Sequence, residues 1–421
     1  MVMSGFFANT LVLLRMKWHS LTHPVTVTRD APDLGFCYDL LKAVSRSFAV
    51  VIAQLTCPAL RDSICIFYLT LRALDTIEDD MSLSTKVKLE QLRRFSSHLK
   101  DPTWRLTDVG EGRERELLEQ FPRLVREYRK LSKEFQSVIA DICERMADGM
   151  CEFLQRPVLT LEDYDLYCHY VAGLVGHGLT QLFACTGLEN PCSGDTLINA
   201  NHMGLFLQKT NIIRDYYEDI VEEPPRMFWP KCIWGQYVGE LKDLQRADAT
   251  ALQCLNAMIA NAMQHIPHVI EYVVSLKDPS ILRFCAIPQL MAIATLSKVY
   301  HNTDTFNTKV KISKPESCRI MLDCNSVYDF TCMFSTYCEN FLGKLVEDDP
   351  STPRIREILI DVINSLDEYK HQYLPTPYAR SIITRYPGLG GHFLLHTLDT
   401  VISFLGGPTS SRVGRNIPRM R

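Results

Sequence analysis

Two short acidic stretches of the same shape lie 140 residues apart: DTIEDD, with Asp75, Glu78 and Asp79, and DYYED, with Asp215, Glu218 and Asp219. In each, the acids fall at i, i+3 and i+4, which on a helix stacks three carboxylates on one face. Like charges stacked this way destabilise a helix by roughly 0.2–0.5 kcal/mol per pair, so the same arrangement twice suggests that a cation binds there. An EF-hand is excluded, because its ligands alternate around an obligatory Gly that neither stretch has. Mg²⁺ takes one or two carboxylates together with substrate phosphates and water, which suits an open acidic face. Two such faces turned into one helical bundle would hold Mg²⁺ ions (Mn²⁺ is the alternative) around a diphosphate, and metal stabilises a leaving pyrophosphate without proton transfer. The competing reading is two solvated helix faces with Arg72 and Arg214 as intrahelical partners.

A diphosphate needs cations from the protein as well. Arg72 precedes Asp75 by one turn, Lys209 and Arg214 precede Asp215, and Arg226 lies in the stiff EEPPRMFWP stretch. Arg46, flanked by the hydroxyls of Ser45 and Ser47, has the composition of an anion clamp. Each of these alone reads equally as a surface residue. In DYDLYCHYVAGLVGHGL, Tyr164, Tyr167 and Tyr170 recur every third residue, followed by Gly173, Gly176 and Gly178. A glycine inside a helix costs about 1 kcal/mol relative to Ala. Either close helix packing or room for a long apolar ligand would justify it. An aromatic wall also suits a carbocation. His177 reads as a hydrogen-bonded core residue.

The elements that must position these groups are helical. Apolar residues fall at helical spacing over 38–56, 62–79, 84–99, 113–154, 162–188, 195–221, 245–275, 280–302 and 354–371, and no series of alternating short strands occurs. Pro and Gly mark loops at 22–34, 101–112, 189–194, 222–230, 303–316 and 347–353. The expectation is one all-α domain with a poorly ordered head and a C-terminal tail. With 46% apolar residues and a net charge of −4, the chain can bury a large core and has no basic footprint for nucleic acid. Its fifteen cysteines form no CxxC pair and no zinc spacing, so they read as reduced thiols. Residues 388–407 are apolar and about the length of a membrane span, but Asp399, His392 and His396 interrupt them. This reads as weak membrane association, helped by Arg412, Arg415, Arg419 and Arg421, or equally as a loosely packed C-terminal helix.

SRSFAVVI, YLTLRALDTIEDD, YCHYVAGLVG, LQKTNIIRDYYED, FWP and RFCAIPQLMAIATL, in this order and spacing, resemble the squalene synthases. The resemblance implies an isoprenoid-synthase helical bundle over residues 30–375 around a hydrophobic channel, with 1–29 and 376–421 outside it. It implies Mg²⁺-dependent head-to-head condensation of two farnesyl diphosphates to presqualene diphosphate, then reduction by NADPH to squalene, committing flux to sterols. By position, the six acids would hold Mg²⁺-diphosphate. Tyr170 would assist ionisation or take a proton in the first step, with Arg72 beside it, and Phe284 would stabilise the cation of the second. Ser47, Phe48, Tyr68, Arg72, Gln208 and Asn211 would line the substrate pocket, with Arg46 and Arg226 on phosphate. NADPH would be met by Asn211, Arg214, Lys311 and Lys314. No GxGxxG in a βαβ setting accompanies this, and Ser313 stands where the family commonly has Arg. The resemblance further implies a monomer on the endoplasmic-reticulum membrane with its catalytic domain facing the cytosol. The alternatives are a phytoene- or dehydrosqualene-type synthase that uses no reductant, a non-catalytic prenyl-diphosphate- or metal-binding protein, and a terpene cyclase.

Overall fold

The computed structural model describes residues 31–223, 225 and 227–373, together with Val12. Every regular element among the described residues is helical, as expected. Helix Gly194–Arg214 is central. It packs against Leu174–Cys185, Ala249–Met263, Ile266–Ser275 and Pro279–Val299. Helix Pro58–Asp79 is the second organiser, packed on Pro32–Val44, Thr85–His98, Gly112–Glu119 and Lys133–Phe153. Leu174–Cys185 touches both organisers and so couples the two halves. Buried apolar side chains form one continuous core.

Several expected helices are divided, each for a local reason. The 113–154 run becomes Gly112–Glu119, Phe121–Tyr128 and Lys133–Phe153. Pro122 starts the second, and Ser132 caps the third by accepting from the Phe135 N–H at 3.3 Å. The 245–275 run breaks before Pro267. The 195–221 run breaks at Asp215. The 162–188 run contains a π-turn, His169–Gly173, between two α-helices. Helices Lys314–Asp323 and Val327–Leu342 were not expected; Ser313 and Ser326 cap them. Pro279–Val299 is the one described helix long and apolar enough to cross a membrane, but 83% of its apolar window is buried, so it is a core helix. The fifteen cysteines are free thiols, mostly buried. Segment 388–407 lies outside the described residues.

Candidate active site

The first acidic motif occupies the last turn of Pro58–Asp79, so Asp75, Glu78 and Asp79 share one helix as their spacing predicts. Arg72 stands 3.9 Å from Asp75 and 3.8 Å from Glu114, and donates to the Tyr68 hydroxyl at 3.1 Å. Its Nε is buried with no hydrogen-bond partner. The Asp75 carboxyl is held well above the usual range, first by withdrawal from solvent and then by the Asp79, Glu78 and Glu114 charges, with Arg72 opposing. A site that disfavours its own negative charge and keeps an orphaned guanidinium donor fits a bound cation paired with an anion.

The second motif is built differently. Asp215 ends one helix and Glu218 and Asp219 lie in the short helix Tyr216–Ile220. The break leaves the turn closed, since the Asp219 N–H still donates to the Asp215 carbonyl at 3.0 Å. Arg214 grips Asp215 through two bonds of 2.7 and 2.5 Å. Both intrahelical partners of the competing reading are therefore real, yet neither exhausts its motif. Burial raises the Glu218 carboxyl, but Lys309, bonded to it, and Lys311 outweigh this and hold it below the usual glutamate range. Among the described residues no three His, Cys, Asp or Glu side chains converge tightly enough to chelate one ion. That donor set agrees with Mg²⁺ ions that rely on substrate oxygens.

Between the motif-bearing helices lie two adjoining cavities of about 140 and 280 Å³. Phe48, Tyr68, Val171, Val175 and Leu179 belong to both walls, so the two form one apolar channel. The smaller ends on Arg72 and Asp75, and the larger reaches Gln208, Asn211, Phe284 and Gln289. Phe284 is buried and meets Phe48 and Phe183 edge-on at 5.7 and 5.9 Å. Phe48 stacks on Tyr68 at 5.8 Å. Gly176 lines the channel, and a Cβ there would lie 2.3 Å from the Ala200 carbonyl oxygen, so close helix packing and ligand space coincide at one residue. A Cβ at Gly178 would meet Phe67 at 2.7 Å, which is packing alone.

Tyr170 lies on the π-turn, next to channel residues Val171 and Ala172, but lines neither cavity. Its hydroxyl donates to Glu152 at 3.1 Å. Lys209 is a correction. It is fully buried, bonded to Asn261 at 2.6 Å and paired with Asp165 at 2.5 Å, so it serves the core and not a phosphate. Tyr164 is buried beneath Lys209, and Tyr167 stacks on Phe228 at 4.0 Å, so both are structural. His177 bonds the Leu197 carbonyl at 2.9 Å and is satisfied, as read. Lys314 opens helix 314–323, which Ser313 caps by accepting from the Glu316 N–H at 3.3 Å. Arg226 and the side chains of Arg46 and Ser47 lie outside what the structure describes. The sequence reading missed Lys309, although it stands two residues before Lys311. It also missed Glu152, which carries no local motif, and Gln289, which lies in the RFCAIPQLMAIATL stretch.

A family model for squalene/phytoene synthase matches residues 41–316. The chain belongs to the squalene/phytoene synthase family. It is 46% identical over 329 residues to the squalene synthase of Homo sapiens, covering 78% of both chains. To squalene synthase LSS of Botryococcus braunii it is 50% identical over 336 residues, covering 79% of this chain and 72% of that one. A solved structure of TcSQS with a ligand superposes with a TM-score of 0.78 at 53% identity, over 80% of this chain and 99% of the other. A dehydrosqualene synthase structure at 19% identity and a TM-score of 0.52, covering 73% of this chain and 98% of that one, shares the fold. The bundle is thus the all-helical isoprenoid-synthase fold, and the protein is an enzyme, a transferase of the squalene synthase kind.

Proposed function

We propose that the enzyme joins two farnesyl diphosphates head to head on Mg²⁺ and reduces the resulting presqualene diphosphate to squalene with NADPH. The observation that carries this is one apolar channel with an acidic motif and an arginine at its mouth and an aromatic cluster at its depth. Asp75, Glu78 and Asp79 would hold Mg²⁺ on one side, and Asp215, Glu218 and Asp219 on the other. Bound Mg²⁺ supplies charge neutralisation for the departing diphosphate.

The chain's own residues do the rest. Arg72, oriented by Tyr68, offers its unpartnered Nε to a diphosphate oxygen. Phe48, Val175 and Leu179 exclude water along the isoprenoid chain, which keeps a cation from capture. The faces of Phe284 and Phe48 supply negative quadrupole to a cation that forms between the two steps. Tyr170 accepts the proton lost in the first step. Lys311, with Lys309 beside it, supplies the positive charge that NADPH phosphates require, and Asn211 meets the cofactor from the channel wall. Membrane attachment through 388–407, on the endoplasmic reticulum with the catalytic body facing the cytosol, and a monomeric state complete the reading.

Incubating the protein with farnesyl diphosphate and Mg²⁺, with and without NADPH, tests it. Squalene formed only with NADPH supports the reading. A dehydrosqualene product indifferent to NADPH would mark a reductant-free synthase, and absence of turnover a binding protein.

A further inference from the structure

Tyr170 is a phenol whose own proton is already committed. Its hydroxyl donates to Glu152 Oε2 at 3.1 Å, and its pKa is raised by burial and by that same carboxylate. A phenol in this state is not a base at rest. It can accept a proton on its oxygen only if its present proton leaves in the same event. Glu152 is placed to receive it. Its other oxygen accepts from Arg156 Nε at 2.9 Å and lies 2.7 Å from Arg156 Nη2, so the carboxylate is held in orientation. Arg156 is fixed in turn by an ion pair with Asp163. Asp163 is itself bound into the capping box that starts helix Leu161–Cys168, the helix that runs into the Tyr170 π-turn. The chain from Asp163 through Arg156 and Glu152 to Tyr170 is therefore closed at its far end by backbone.

Two further features point the same way. The π-turn inserts an extra residue at Tyr170, and such turns re-aim a side chain out of regular helical register. Gly149, on the helix that carries Glu152, leaves the space that the ring occupies: a Cβ there would lie 2.0 Å from Tyr170 Cγ. Two helices have thus been shaped to bring one hydroxyl to one carboxylate.

We infer that Glu152 is a positioning residue and the terminal proton acceptor of the first half-reaction, with Tyr170 as the relay; this rests on the reading of Tyr170 given above. The first farnesyl diphosphate loses diphosphate, which leaves with the C–O electron pair. The allylic cation is attacked by the double bond of the second molecule, leaving a new cation. A C–H bond on the newly attached carbon of the first molecule, in a 1,3 relation to that cation, breaks, and its electron pair forms the bond that closes the cyclopropane ring. The proton goes to Tyr170 Oη as the phenolic proton passes to Glu152 Oε2. Tyr170 ends neutral and Glu152 ends protonated. With its side chain 38% exposed, Glu152 can return the proton to water.

The test compares the full chain with Glu152→Gln, Glu152→Asp and Tyr170→Phe in two assays. One is presqualene diphosphate formation from farnesyl diphosphate with Mg²⁺ and no NADPH. The other is squalene formation from supplied presqualene diphosphate with NADPH. Glutamine keeps the shape and an acceptor but is not a base. We expect Glu152→Gln to lower kcat of the first assay about 10²-fold, at the low end for positioned acid–base catalysis, with KM little changed. The second assay should stay at the wild-type rate, and Glu152→Asp should recover part of the first. An equal fall in both assays would make Glu152 structural and overturn the relay. So would a wild-type first step in Glu152→Gln, or Glu152→Asp no better than Glu152→Gln, with Tyr170→Phe inactive. A fully active Tyr170→Phe would instead overturn the reading of Tyr170 itself.

Discussion

Asp75 is the acid whose environment argues most strongly for a bound cation. Three carboxylates press on it and one guanidinium, 3.9 Å away, answers them. Asp75→Asn removes a ligand while relieving that crowding. It should abolish presqualene diphosphate formation and leave the melting temperature unchanged or slightly higher. An assay of the first half-reaction over a Mg²⁺ titration, beside a thermal melt, checks both. Normal turnover would remove Asp75 from the ligand set. Lys311 is proposed for the other step. Lys311→Ala should raise KM for NADPH and let presqualene diphosphate accumulate, and equal loss in both steps would contradict the NADPH assignment. The placing of Asp75, Glu78 and Asp79 on one helix was legible in their spacing, whereas the helix break at Asp215 in the second motif was not. Nor was Lys309, since its partner Glu218 lies 91 residues away. Lys209 misled for the converse reason. A lysine shortly before a motif looks like a phosphate ligand until the fold places Asp165 and Asn261 against it.

Helices are where caps and periodicity compete for the reading. Periodicity found the long amphipathic helices but could not see the breaks at Pro122, Asp215 and Pro267, because the apolar stripe continues through them. It missed Lys314–Asp323 and Val327–Leu342 altogether, yet Ser313 with Glu316 and Ser326 with Asp329 are helix-start signals at the right spacing. The π-turn at 169–173 left no local signal; there Gly173 lies against Asn201 and Ala172 against Gly204, contacts between residues distant in sequence. The Ser313 side chain serves the backbone, accepting from the Glu316 N–H at the start of helix Lys314–Asp323. Ser313→Ala should therefore cost about 1 kcal/mol of stability, lowering the melting temperature by a few degrees. Its effect on KM for NADPH should be smaller than that of Lys311→Ala. A large rise in KM with unchanged melting would mean that Ser313 touches the cofactor.

At the scale of the whole molecule, stability should follow pH through a histidine cluster that joins the central helix to its neighbour. His202 Nδ1 meets His265 Nδ1 at 2.7 Å, and the His202 ring stacks on His268 at 3.9 Å. His268 bonds Asn199 at 2.8 Å and lies 4.0 Å from Glu271. Lys209 and Asp165 are the other charges that bear on His202. Burial, and then His268, lower His202 from 6.5 to about 4, and burial also depresses the fully enclosed His265. A histidine with a depressed pKa binds fewer protons folded than unfolded. Its contribution is complete above the unfolded value and is lost as pH falls from about 6.5 towards 4. Asp33, held at about 2 by Arg126 and Arg123 against the opposing effect of burial, acts in a separate and lower window, with its share lost only below its unfolded value of 3.8. Thermal melts in steps from pH 7 to 4 should therefore show a fall that begins near pH 6.5, well above the carboxylate range. Replacing one member should flatten that upper limb. In His202→Gln the melting temperature should change less between pH 6.5 and 4.5 than in the parent, whatever its value at pH 7. A variant curve parallel to the parent's over that interval would show that the cluster carries no linked proton.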